Sequence, residues 1–273
     1  MARAAVRATG LIITADDFGL DLAVNEAVAQ AHAHGVLDAT SLMVSAPAAT
    51  DAVARAKRLP TLAVGMHLVL ADGKATLPPA QIPDLVDADG RFGSHMARDG
   101  ARFFFLPRVR RQLAAEIRAQ FEAFARTGLK LDHVNAHKHF HLHPTVLSLV
   151  LAIGREFGLH AVRLPSEPGT PWWLAPWIDL MRWRLDRAGF AHNDHIFGIA
   201  DTGAMDEHAL LRTLARLPAG LTEIYAHPAT RCGLTPGMCT YRHTDELAAL
   251  LSPRVRDAIA ALGVRRGGFA ALT

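Results

Sequence analysis

The chain has 273 residues, half of them hydrophobic and a fifth charged, which is ample apolar material for one large folded unit and argues against intrinsic disorder. The net charge is only +3 with histidines neutral, and the arginines are scattered among nearly as many acids, so no nucleic-acid partner is implied. No run of about 18 apolar residues is present to span a bilayer, and the opening MARAAVRATG lacks the apolar stretch of a secretory leader.

Along the chain, short apolar runs alternate with helical periods. LIITA (Leu11–Ala15) predicts a buried strand, and Leu22–His34 an amphipathic helix ended by Gly35. ATSLMVSA, LAVGMHLVL, LDHVNAH, AVRLP, IFGIA and LTEIYAHP repeat the strand signal, with helices predicted near 48–58, 109–127, 144–157, 206–216 and 244–262. The closing GGFAAL could add one more strand. Seven or eight strands alternating with helices predict a parallel, barrel-like α/β sheet, with a doubly wound open sheet as the alternative.

Two segments break the rhythm. Residues 71–107, rich in Gly, Pro and Asp, are too long for an ordinary connection and suggest a loop covering a site. Residues 171–190 hold all four tryptophans, either as an ordinary barrel helix or as an amphipathic helix at a membrane surface. Neither a flexible tract nor a repeat divides the chain, so a single domain over 1–273 is expected. The two cysteines, Cys232 and Cys239, fit neither a metal ribbon nor a redox pair and read as free thiols of a cytoplasmic protein.

In parallel α/β sheets, chemistry gathers where the strands end. TADDFG places Asp16 and Asp17 after the first strand, GMHL places His67, HVNAHKH places His133, Asn135 and His137, and YAHPA places His227. Adjacent buried carboxylates repel unless a cation lies close. One Asp and two neutral His would leave a divalent ion an open position for water, and the second Asp would be free to act as a base. The five histidines of HVNAHKHFHLHP cannot all share one ion: if that stretch were extended, His137 and His143 would stand roughly 20 Å apart, at about 3.3 Å per residue.

The motifs TADDFGL, TSLMV, LAVGMHLVL, HVNAHKHFH and AHPA, spread over nearly the whole chain, resemble those of the YdjC-like carbohydrate deacetylases. More narrowly, VNAHKHFHLHP with VRLPSEP resembles the branch associated with hopanoid biosynthesis, HpnK. The resemblance implies a distorted (β/α) TIM-like barrel, akin to the NodB-like deacetylases, and metal-dependent removal of an N-acetyl group from an amino sugar. By position it implies Asp17, His67 and His137 as metal ligands, Asp16 as base and His227 as general acid. Asn135, where many relatives have Asp, together with His139, His141 and Arg163, is assigned to substrate or to the support of ligands.

Zinc is the expected ion, with magnesium the rival. The expected substrate is N-acetylglucosaminyl bacteriohopanetetrol, taken by a cytoplasmic enzyme with peripheral contact at the inner membrane. The alternatives are a soluble chitooligosaccharide deacetylase and a non-catalytic lipid- or sugar-binding protein with a structural metal.

Overall fold

The computed structural model describes residues 8–273, so most of the segment read for a leader lies outside the described residues. Its strands are β1 (Ala8–Phe18), β2 (Ala39–Leu42), β3 (Ala63–Leu68), β4 (Val134–Ala136), β5 (His195–Phe197), β6 (Gly220–Ala226) and β7 (Arg265–Arg266). The helices are α1 (Leu22–His34), α2 (Ala49–Ala56), α3 (Met96–Phe105), α4 (Pro107–Arg126) and α5 (Pro144–Glu156), followed by α6 (Ala175–Ala188), α7 (Glu207–Leu214), α8 (His243–Leu251), α9 (Pro253–Leu262) and α10 (Phe269–Leu272).

All strand pairs are parallel, in the order β4-β3-β2-β1-β6-β5, with β7 beside the start of β1. The sheet curls until its two edges meet through single bridges, Val134 to Val162 and Ala161 to Ala191. The Val134 N–H donates to the Ala161 carbonyl (3.0 Å) and the Val162 N–H to that of Ala191 (2.9 Å). This is the expected distorted barrel rather than an open doubly wound sheet.

AVRLP therefore supplies a seam and not a full strand. Just past the bridge, the side chain of buried Asn193 takes over both backbone groups of Leu164, accepting from its N–H and donating to its carbonyl at 2.8 Å each. Pro165 has no N–H to offer, and one backbone bond follows it, from Ile196 N–H to the Ser166 carbonyl at 3.0 Å.

Alternate residues face the interior of the curl, as the two-residue period of a strand requires. At its floor Ile12, Ala39, Ala161 and Leu221 cluster around Phe269. Above them the lining turns polar, with Thr14, His133, Arg163 and Glu223 all buried. Gly65 belongs to this layer because a Cβ there would come within 2.4 Å of the His133 ring. The larger apolar core lies outside the sheet, between strands and helices.

GGFAAL is not a strand. After the short β7, the backbone turns at Gly267 and α10 drops Phe269 into the barrel floor, where its ring lies 4.8 Å from that of His133. Asp132 fixes this arrangement, accepting from the N–H groups of Phe269 and Ala270 at 3.0 Å each. The stretch 244–262 is likewise two helices. Pro253 cannot continue the hydrogen-bond ladder of α8, and Ser252 caps α9 by accepting from Val255 N–H.

The 71–107 segment is partly ordered into α3, and its first part is clamped to α4. Buried Glu116 accepts from the N–H groups of Thr76 (2.8 Å) and Leu77 (2.9 Å), while Gln120 both accepts from and donates to the backbone of Val69. No helix among the described residues is long and apolar enough to cross a membrane. Replacing Asp132 by Ala should release α10 and cost about 1–3 kcal/mol for the orphaned N–H groups, measured by urea denaturation against wild type.

Candidate active site

The paired aspartates reach one site because β1 is irregular where they sit. Ala15 pairs with Thr40 and Phe18 with Leu42, so β1 spends one residue more than β2 over this stretch. Asp17 takes up the excess in the left-handed region, φ 64°. Neighbours on a regular strand would point to opposite faces; here both carboxylates turn toward His67. Gly19 follows at φ 96°, where a Cβ would lie 3.1 Å from the Met43 carbonyl oxygen.

Asp17, His67 and His137 form a near-equilateral triangle. Asp17 Oδ1 lies 3.2 Å from His67 Nε2 and 3.2 Å from His137 Nδ1, and the two nitrogens are 3.3 Å apart. Both Asp17 oxygens are buried without a hydrogen-bond partner. Donor atoms around a tetrahedral zinc ion, at bond lengths of about 2.0–2.1 Å, stand about 3.3 Å apart. The donor set, its spacing and the orphaned carboxylate thus fit a divalent cation; this is the one group of at least three His, Cys, Asp or Glu residues among the described residues that could hold a metal.

A hydrogen-bonded chain sets the state of His67. Its Nδ1 lies 2.7 Å from Asn135 Oδ1, and the Asn135 amide donates to Asp16 Oδ1 at 2.9 Å. Because the Asn135 NH₂ is committed to Asp16, its oxygen must accept, so Nδ1 carries the proton and Nε2 presents a lone pair to the Asp17 corner. An ionised Asp at this place could not donate to Asp16. Ser41 completes the group, its Oγ donating to Asp16 Oδ1 at 2.8 Å. Burial alone would push the His67 imidazole down, but the Asp17 and Asp16 carboxylates raise it.

Asp16 is held more tightly still. Arg163, fully buried, donates to its two oxygens at 2.5 and 2.9 Å, and to Glu223 at 2.7 and 2.9 Å. Thr14 Oγ1 also donates to Glu223, and the guanidinium lies 4.7 Å over the Tyr225 ring. Burial would raise the Asp16 carboxyl, but the Arg163 guanidinium, with His67 and His227 adding, holds it far below its ordinary 3.8. Asp16 therefore remains a carboxylate throughout the neutral range.

The five clustered histidines have five different surroundings, because the chain does not stay extended. After Ala136 it enters a tight 3-10 turn, His137–Leu142, in which Lys138 and His139 are both left-handed at φ 54°. His137 reaches the corner shared by Asp17 and His67. His139 lies against Tyr225, with Nε2 3.2 Å from the hydroxyl, and burial pushes its pKa well down. His141 is buried with Nε2 2.9 Å from the Arg163 carbonyl oxygen, and burial lowers it to about 3. His133 pairs with Asp132 beneath the site, and His143 packs on Phe103.

Above these groups opens a cavity of about 1360 Å³, bordered by Asp16, His67, His137, His139, Tyr225 and His227 among others. His227 Nδ1 is buried and without a partner. The His227 backbone is pinned, its N–H donating to buried Glu246 and its carbonyl accepting from His243 Nδ1. Val69, Gly73, Lys74, Arg91 and Phe92, from the long 71–107 segment and its approach, form part of the wall. Asn135, His141 and Arg163 are not on it.

A sequence profile of the YdjC-like protein family matches residues 10–261. The chain belongs to the YdjC-like family. Among its relatives, a protein of Brevibacillus brevis named carbohydrate deacetylase is 33% identical over 258 residues, covering 91% of this chain and 94% of the relative. A chitooligosaccharide deacetylase of Yersinia pestis is 31% identical over 274 residues, covering 95% and 97%. The crystal structure of a candidate cellobiose-phosphate cleavage protein from Enterococcus faecalis superposes with a TM-score of 0.78 at 26% identity, covering 97% of this chain and 99% of that one.

The sequence assigned Arg163 to substrate or to the support of ligands; the structure puts it on Asp16 and Glu223. Glu223, Ser41 and Glu246 were missed, although a glutamate inside the apolar strand LTEIYA is itself a signal of a buried partner. Replacing Arg163 by Met should destabilise this YdjC-like fold by about 3–5 kcal/mol, since two buried carboxylates lose their counter-charge. Because the folded Asp16 value is depressed, the stabilisation it contributes is complete above its unfolded value near 3.8 and lost as the pH falls below that. Denaturant titrations between pH 3 and 7 should therefore show a shallower acid-side loss in the variant than in wild type.

Proposed function

We propose that this protein is a single-domain, metal-dependent deacetylase of N-acetylated amino sugars, and that soluble chitooligosaccharides are its nearest substrate class. The observation that carries the reaction is the Asp17–His67–His137 triangle beside an ionised Asp16 at the base of a large cavity. The names of the Brevibacillus and Yersinia relatives support the substrate class.

Asp17, His67 and His137 would hold the ion, and the spacing of their donor atoms supports zinc ahead of magnesium, which prefers more oxygen ligands. Bound there, the ion would supply Lewis acidity toward the acetamide carbonyl. Asp16 takes the proton of the attacking water. Arg163, Ser41 and Asn135 keep its carboxylate aimed. His227, which borders the cavity, delivers a proton to the departing amine. Tyr225 and His139 shape the wall between them.

A second reading, the glucosaminyl hopanoid expected from the branch motifs, draws support from one feature: α6 buries Ile178, Met181 and Leu185 and leaves its tryptophans exposed. Cytoplasmic placement draws support from the two exposed, unbonded thiols, Cys232 and Cys239.

Acetate release from chitobiose, followed by mass spectrometry, tests the reading. Asp16→Asn and His227→Ala should each retain the ion and lose about 10²- to 10⁴-fold in turnover. Full activity in either variant would overturn the role given to that residue. His137→Ala should lose the ion, read by elemental analysis of protein purified without added metal. Acetate release from acetylglucosaminyl hopanoid but not from chitobiose would favour the second reading, and release from neither would leave a binding protein with a structural metal.

A further inference from the structure

The large apolar side chains left exposed on this molecule are not scattered. Among the described residues, all but Leu22 lie on two short segments: Phe104, Phe105 and Leu106 where α3 passes into α4, and the four tryptophans with Leu180 between 172 and 183. Trp172 is 85% exposed, Phe105 72% and Trp173 65%, values at which a tryptophan or phenylalanine gains almost nothing from the fold.

Both segments flank one turn. Trp177 Nε1 donates to the Leu142 carbonyl at 2.8 Å, and Phe103, buried beside Phe104, packs on Phe140 and His143 with ring centroids 5.3 and 6.1 Å away. That turn is the outward continuation of His137–His139, which border the cavity. The exposed apolar surface therefore adjoins the cavity wall.

The charge around it narrows the partner. Residues 96–112 carry Arg98, Arg102, Arg108, Arg110 and Arg111 against Asp99, with Asp84 paired to Arg108 at 2.7 Å, which leaves the segment cationic. On α6, Arg182, Arg184 and Arg187 outnumber Asp179 and Asp186, and the Arg187 guanidinium lies 5.7 Å over the Trp183 ring. A twofold contact between copies of this face would set the two arginine groups against each other. An anionic partner would neutralise them, and tryptophan beside arginine suits the boundary between headgroups and acyl chains, where an amphipathic ring and a snorkelling cation are both satisfied.

We propose that this face docks on a lipid bilayer bearing anionic headgroups and holds the cavity mouth beside the membrane surface. The docking follows from the exposed residues alone. That the docked protein draws an acetylated sugar from a lipid carrier rests on the deacetylase reading given above.

The test is co-sedimentation of the full chain with phosphatidylcholine vesicles, with and without phosphatidylglycerol. Wild type should sediment with the phosphatidylglycerol vesicles, less so as salt rises. The double variant Trp172→Ser, Trp173→Ser, at positions that do not line the cavity, should partition at least about tenfold less while deacetylating chitobiose at the wild-type rate. Wild type remaining in the supernatant with every vesicle would overturn the docking, as would a double variant that sediments equally well. A concentration-dependent dimer in light scattering, dissolved by the double variant and unaccompanied by vesicle binding, would assign the face to a second copy instead. Vesicle binding without acetate release from any amino sugar would uphold the docking and sink the deacetylase reading.

Discussion

A buried guanidinium ties the interior of this barrel together. Arg163 comes from the seam where the curled sheet closes, and it holds Asp16 from β1 and Glu223 from β6 at 2.5–2.9 Å. A charge fully removed from water is tolerable only with such partners, and its loss would leave two carboxylates facing each other in a low-dielectric space. The seam itself needs this, because single bridges at Val134 and Ala161 give little ladder to hold it. Closing the barrel and ionising the candidate base are thus one interaction.

Above that cation the site is a sequence of forced choices. The extra residue in β1 turns Asp17 toward the imidazoles, and Asn135 fixes which nitrogen of His67 carries the proton. An amide serves at this place because it donates to one neighbour and accepts from the other. Of the four non-glycine residues at positive φ among the described residues, Asp72, Lys138 and His139 line the cavity and Asp17 sits at its base. Backbone strain is concentrated where side chains must be aimed, as is common at functional sites.

Much of this was legible in the sequence because the aspartates and histidines of the site stand at the ends of apolar strands. TADD, GMH, NAH and YAH mark four strand ends; Asp17, His67 and His137 come together there, and Asp16 and His227 border the cavity. What stayed hidden depends on contacts that no local pattern encodes. AVRLP reads as a strand, yet Asn193, thirty residues downstream, takes the backbone groups that a ladder would use. GGFAAL reads as a strand, but Asp132 captures the N–H groups of Phe269 and Ala270, the first two residues of α10, and makes it a helix. The five histidines look equivalent at a two-residue spacing, and only the left-handed turn at Lys138 and His139 sends them to five environments.

The position of β1 at the middle of the sheet also governs how the chain can assemble. One neighbour, β2, is made within some twenty residues, but the other, β6, pairs Ala8 with Gly220, more than two hundred residues later. Contacts of such separation form slowly, and during synthesis β1 waits with one edge bare, an invitation to pair with the wrong strand. A nascent chain stopped short of β6 would lack Glu223 as well as that edge, so the interior around Asp16 should take shape only after β6 has been made.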